Sequence, residues 1–247
     1  MRTALSWVMA TGVIAAPAAA SAGRTQYGWL FGTEVMPERG AELQTWVDEQ
    51  NGRDPGNIHW TTWGFTALVG VTDQLELSLP IEFLWRDSDA TEPSFTFREF
   101  GIEARYRFVS SDPVDAPAFA PLARVAVHRD VTVRDLIEVE ADFVASTTTP
   151  SGSVHALVDL GVTVGITPDD QQYVLRPGAG VSFKAVGDLR LGAEVFAQIN
   201  LDSSTRSWAA AGPNLAWSHG RFWLSAAFGI GVYHVETAPR VQWGIAF

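Results

Sequence analysis

The feature that most constrains this chain is a period of two in its side chains. From Arg24 to Phe247, apolar residues recur on one face of an extended chain, with charged or small residues on the other. At 75–86, Leu75, Leu77, Leu79, Ile81, Phe83 and Trp85 oppose Glu76, Ser78, Pro80, Glu82, Leu84 and Arg86. At 153–166, Val154, Ala156, Val158, Leu160, Val162, Val164 and Ile166 oppose His155, Leu157, Asp159, Gly161, Thr163 and Gly165. Residues 189–201 split in the same way, with Leu189, Leu191, Ala193, Val195, Ala197, Ile199 and Leu201 on the apolar side. Such segments run to about a dozen residues, whereas a globular strand has about 5–6 and a tilted membrane-crossing strand about 9–11. Further segments of this kind lie near 41–50, 58–71, 96–109, 118–129, 136–146, 172–185, 206–217, 221–235 and 239–247. The pattern predicts about twelve strands, with ten or fourteen as alternatives. Turn formers separate them, as at Thr72-Asp73-Gln74, Pro168-Asp169-Asp170, Gly187-Asp188 and Ser218-His219-Gly220.

Alternation alone does not say whether the apolar face meets lipid or a soluble core. The polar face decides it. At 221–235, Phe222, Leu224, Ala226, Phe228, Ile230 and Val232 oppose Ser225, Ala227, Gly229 and Gly231, which suits a lipid face backed by a crowded lumen. Tryptophan numbers ten, and Trp60, Trp85, Trp217, Trp223 and Trp243 fall near predicted strand ends, where aromatic girdles form. The N-terminus reads as a secretory signal, with Arg2, an apolar stretch from Ala4 to Ala19 and the small triplet Ala20-Ser21-Ala22. Cleavage is expected after Ala22, leaving 23–247 as the barrel. No later segment approaches 18 consecutive apolar residues, so any crossing of a membrane uses strands. The expectation is a single all-β transmembrane antiparallel β-barrel of meander topology in the outer membrane of a Gram-negative bacterium. A soluble periplasmic ligand-binding barrel is the alternative from another class. Residues 25–35, with Tyr27, Trp29 and Phe31, would make the strand count odd, so they are read as a short first strand or as a piece folded toward the lumen. The longest connection after residue 60 is expected at 87–95.

At the C-terminus, Val241, Trp243, Ile245 and Phe247 alternate up to a terminal aromatic. This resembles the last-strand assembly signal of outer-membrane barrels, carried by Trp243, Ile245 and Phe247, and implies the barrel assembly machinery and outer-membrane lipid as partners. The run Gly70-Val71-Thr72-Asp73-Gln74-Leu75-Glu76-Leu77-Ser78-Leu79, its echo from Gly187 to Glu194, and Val35-Met36-Pro37-Glu38-Arg39-Gly40 resemble the turns of a barrel family. That family is labelled transporter or MetA-pathway of phenol degradation. The resemblance implies a small outer-membrane pore without a defined substrate.

The same phasing sends Glu42, Asp48, Glu76, Glu82, Glu99, Glu103, Glu138, Glu140, Asp142, Asp159 and Glu194 into the lumen. With them go Arg86, Arg105, Arg107, Arg124, Arg176, Lys184 and Arg190. Glu138, Glu140 and Asp142 form the densest group, three carboxylates on one face of one strand. They read either as a cation-attracting constriction in a small-solute pore or as acids neutralised by neighbouring strands in a filled barrel. No catalytic group is expected, because His155 and Asp159 stand roughly 13 Å apart along one strand and His59, His128 and His234 are isolated. Cysteine is absent, and no metal-ligand spacing or cofactor motif occurs. The net charge of −11 disfavours nucleic acid as a partner.

Overall fold

A computed structural model describes residues 25–54, 57–109, 118–203 and 206–247; the predicted signal peptide, 1–22, lies outside them. The described chain is a closed antiparallel barrel of twelve strands in meander order. These are β1 (Ala41–Arg53), β2 (Ile58–Gly70), β3 (Leu75–Ser88), β4 (Thr91–Arg107), β5 (Phe119–Asp130) and β6 (Leu136–Thr148), followed by β7 (Val154–Ile166), β8 (Gln171–Val186), β9 (Leu189–Asn200), β10 (Trp208–His219), β11 (Phe222–Tyr233) and β12 (Thr237–Ala246). Every predicted segment from 41 onward corresponds to one of them. Pairing of β12 with β1, from Glu42↔Ala246 to Asn51↔Thr237, closes the sheet and removes both edges. The Phe247 N–H also donates to the Ala41 carbonyl, at 2.8 Å, so one rim carries both ends of the barrel.

The barrel is inside-out relative to a soluble one. Leu79, Leu160, Phe183, Ile230 and Val232 point outward and stand open, whereas Glu76, Glu42, Asp159 and Ser182 are buried. An apolar belt around a polar interior is what a lipid solvent selects, since only a closed barrel satisfies every strand's backbone groups. Trp85, Trp217 and Trp243 follow the outward phase, but Trp60 and Trp223 do not. Trp223 is in phase with Ser225 and Ala227, and its indole N–H donates to Glu42 in the lumen at 2.9 Å. Trp60 also lines the interior, beneath the Arg53 guanidinium at 4.6 Å. Their place in a girdle is therefore corrected to the lumen.

Two irregularities shape the interior. Where β3 pairs β4, Glu82 faces Glu99 but Phe83 faces Phe97, so Arg98 is an extra residue. This β-bulge turns Arg98 and Glu99, neighbours in sequence, both away from lipid, while Phe97 and Phe100 stay outside. Pro80, Pro177, Pro213 and Pro239 each lie where one adjoining ladder skips two pairs, as expected of a residue with no N–H to donate. The loop expected at 87–95 is mostly strand, because β3 and β4 continue through it and turn at residues 89–90. Spin labels placed singly along β3 are expected to separate with period two. Positions 77, 79 and 81 should be accessible to oxygen dissolved in lipid and positions 76, 78 and 82 shielded; equal accessibility on the two faces would contradict the phase.

Candidate functional site: a lumen that holds the N-terminal segment

Residues 25–36 form no strand. They lie inside the barrel, and Tyr27, Leu30 and Thr33 are almost wholly buried. Of the two readings of 25–35, the structure adopts the piece folded toward the lumen. The segment packs apolar side chains against the wall at one place in particular. Trp29 stacks on Phe196 with ring centroids 5.2 Å apart, meets Trp208 edge-on at 5.4 Å, and has the Arg240 guanidinium 5.3 Å from its ring. Its indole N–H donates to the Ala238 carbonyl at 2.9 Å. Opposite Tyr27 and Leu30 the wall thins to Gly178 and Gly180 of β8, where any Cβ would collide with those two side chains.

The segment's backbone cannot pair within a sheet, so the wall supplies partners. Three carboxylates accept its N–H groups. Glu194 takes those of Gly28 and Trp29 at 3.2 and 3.0 Å, Asp159 that of Phe31 at 3.1 Å, and Glu76 that of Met36 at 2.7 Å. Arg105 donates to the Gly32 carbonyl, and the Gln242 amide to the carbonyls of Tyr27 and Gly28. The Thr33 and Ser146 hydroxyls share a hydrogen bond of 2.6 Å. Several of these wall residues sit two or three positions from the rim that carries Ala41 and Phe247: Glu76 in β3, Arg105 in β4, Ser146 in β6 and His155 in β7. The segment thus enters at that end of the barrel and reaches Phe196 and Trp208 further along it.

The Tyr27 hydroxyl lies 3.0 Å from His155 Nδ1 and within 3.2 Å of the carbonyls of His155 and Gly180. Burial pushes its phenol well above the ordinary range, with the negative charges of Glu34 and Glu194 adding to the effect. Seating therefore favours the neutral phenol, whereas a phenol released into water ionises near pH ~10. The contribution of Tyr27 to closure is fully present below that pH and is lost as pH rises beyond it. Ion conductance of the wild type is expected to rise as pH passes above about 10. In Tyr27→Phe it should stay flat over the same range, and parallel rises in both proteins would contradict the role of this phenol.

Beyond the segment lies a network of charges. Arg124, buried, reaches Glu103 at 2.8 Å, Glu140 at 2.6 Å and Asp142 at 2.7 Å, and its guanidinium covers the Phe31 ring at 4.1 Å. Arg176 holds Glu140 and Asp142 from the other side at 3.1 and 2.9 Å. Glu140 and Asp142 are thus neutralised by strands on both flanks, and Glu138, one turn of the pleat further, is outside these pairs. Arg190 is spent on wall oxygens of Ser182 and Gly152, and Arg107 is buried near Glu34. Arg86 and Lys184 are exposed at strand ends. His155 and Asp159 hold the segment separately. Trp243, Ile245 and Phe247 lie on the outward phase of the last strand, with Ile245 and Phe247 exposed.

The remaining space is a cavity of about 220 Å³ lined by Trp46, Trp60, Asp48, Glu82, Arg98 and Glu138, among others. Sequence phasing missed Arg98, His128, Asp130 and Arg240 as lumen residues. For Arg98 the signal was two adjacent charges between Phe97 and Phe100, which breaks the alternation. Simple alternation from Arg124 through Ala126 leads to His128 and Asp130.

Fold and site together define an outer-membrane-type β-barrel whose lumen holds its own N-terminal segment. No protein-family model matches this sequence, and no curated protein matches it. Solved structures do. The COG4313 outer membrane channel from Pseudomonas putida F1 superposes with a TM-score of 0.62 at 10% identity, covering 87% of this chain and 98% of that one. The KdgM porin in complex with disordered oligogalacturonate gives 0.56 at 10% identity over 83% and 99%, and the NanC porin 0.54 at 9% over 82% and 98%. Likeness at this identity establishes the shared barrel fold.

Proposed function

We propose that this protein is an outer-membrane channel for small solutes that residues 25–36 hold closed. The observation that carries this reading is the mode of attachment. The wall grips the segment's backbone through Glu194, Asp159 and Glu76, so closure rests on polar contacts that water can replace when the segment leaves. The strand ladders do not include the segment, so the barrel persists without it. The channels among the superposed structures and the turn-level resemblance to the transporter or MetA-pathway family support the same reading, as does a C-terminal strand suited to the barrel assembly machinery. No step of catalysis is read into His155, whose ring is engaged by Tyr27.

A second reading has an observation of its own. The Arg124 and Arg176 network joins β4, β5, β6 and β8 across the interior, as it would in a filled barrel that transports nothing. Single-channel recording of the refolded protein in a planar bilayer, with and without residues 25–36, separates the two. A channel conducts once the segment is gone, whereas a filled barrel stays silent in both forms.

A further inference from the structure

We propose that Glu99 of β4, Asp130 of β5 and Glu138 of β6 form a binding site for a calcium ion in the lumen. One carboxylate oxygen from each lies within 4.8 Å of the others. Register brings the three together: Glu99 is opposite Asp130, and His128, two residues before Asp130, is opposite Glu138. Asp130 is held in place by Thr132, whose N–H and hydroxyl both donate to Oδ1, which leaves Oδ2 toward the cluster. Glu99 is oriented by His128 Nδ1 at 3.1 Å.

The local charge calls for a further cation. Arg98, placed here by the bulge, is 3.2 Å from Glu82, 3.5 Å from Glu99 and 3.7 Å from Asp130, so one guanidinium is spread over three carboxylates. Among the described residues Glu138 has no ion pair or hydrogen bond. An observation outside the trio points the same way. Asp48, only 7% exposed, lines the same cavity as Glu99 and Glu138 and, among the described residues, has neither a hydrogen bond nor an ion pair, although Arg240 stands opposite it in the register. Burying Asp48, Glu82, Glu99, Asp130 and Glu138 around Arg98 and Arg240 is costly unless a further cation joins them. All-oxygen donors of irregular arrangement suit calcium, which accepts six to eight ligands in flexible geometry, with water completing the shell.

The test uses the full-length refolded barrel and terbium as a luminescent calcium substitute, excited through the tryptophans, Trp46 and Trp60 of the cavity among them. Saturable binding of one Tb³⁺, displaced by Ca²⁺ at lower concentration than by Mg²⁺, is expected. Asp130→Asn and Glu138→Gln should each weaken it at least about tenfold, in line with the loss of a charged ligand. Arg98→Gln, which removes the competing guanidinium, should tighten it, and Glu92→Gln, an exposed acid near the β3–β4 turn, should change nothing. Each variant is first shown to fold by its heat-modifiable gel band. Arg98→Gln tests the site even if a ligand variant misfolds. Absence of saturable binding, unchanged affinity in Asp130→Asn, Glu138→Gln and Arg98→Gln, or equal displacement by Mg²⁺ would overturn the proposal.

Discussion

Deleting residues 25–36 is expected to raise single-channel conductance by about tenfold or more, since a twelve-stranded barrel is wide enough for ions once its filling is removed. The segment is held inside the barrel by the Trp29 cluster and seven polar wall residues, and none of those contacts belongs to a strand ladder. Without the segment, Glu194, Asp159 and Glu76 turn to water, and Phe196 and Trp208 lose their partner. The barrel should still give a folded, heat-modifiable band. The opened pore should prefer cations, because carboxylates freed from the segment face it, and a reversal potential under a salt gradient reads this directly. A synthetic peptide of residues 25–36, added to the deleted barrel, should lower the current again. An unchanged conductance after deletion would leave the filled barrel as the better account.

Arg124→Met is expected to destabilise the folded barrel by about 3–5 kcal/mol, the usual cost of breaking a buried ion pair from one side. Among the described residues Arg124 alone contacts Glu103, Glu140 and Asp142 together, and it does so while buried. Methionine fills much of its volume but leaves Glu140 and Asp142 to Arg176 alone and takes from Glu103 the guanidinium it contacts. The readout is the urea or temperature midpoint of the gel shift. Adding Glu103→Gln and Glu140→Gln to the same chain should recover part of the loss, because the amides need no counter-charge. A variant as stable as wild type would show that the network is energetically idle.

Much of the barrel was legible because lipid and lumen impose opposite demands on alternate residues. Segments such as 75–86 and 189–201 carry that contrast on their faces, and the strands follow it. The phase also placed Glu103, Arg124, Arg176 and Glu194 inside, since a charge on the apolar face would stand out. It could not say what each charge does. Glu194 binds a backbone and Glu140 binds arginines, and the difference depends on how registers bring distant strands together. The N-terminal segment was ambiguous for a similar reason. Tyr27, Trp29 and Phe31 have a strand's spacing, and only the wall's carboxylates, contributed from residues 76 to 194, reveal that they are a filling. Trp60 and Trp223 were misplaced by weighing their position near strand ends above their phase. The phase was the stronger signal, because a side chain cannot change faces without a bulge.

The central claim is that residues 25–36 sit in the lumen of the folded barrel in a membrane and close it. The sequence has no cysteine, so a single introduced pair reports without background. Thr33→Cys with Ser146→Cys replaces two hydroxyls 2.6 Å apart, one on the segment and one on β6. In membranes under mild oxidation, the pair is expected to cross-link nearly completely and to lock the channel in its low-conductance state, with any gated openings returning only after reduction. Failure of the pair to cross-link, or a cross-linked protein that conducts like the deletion, would contradict the account.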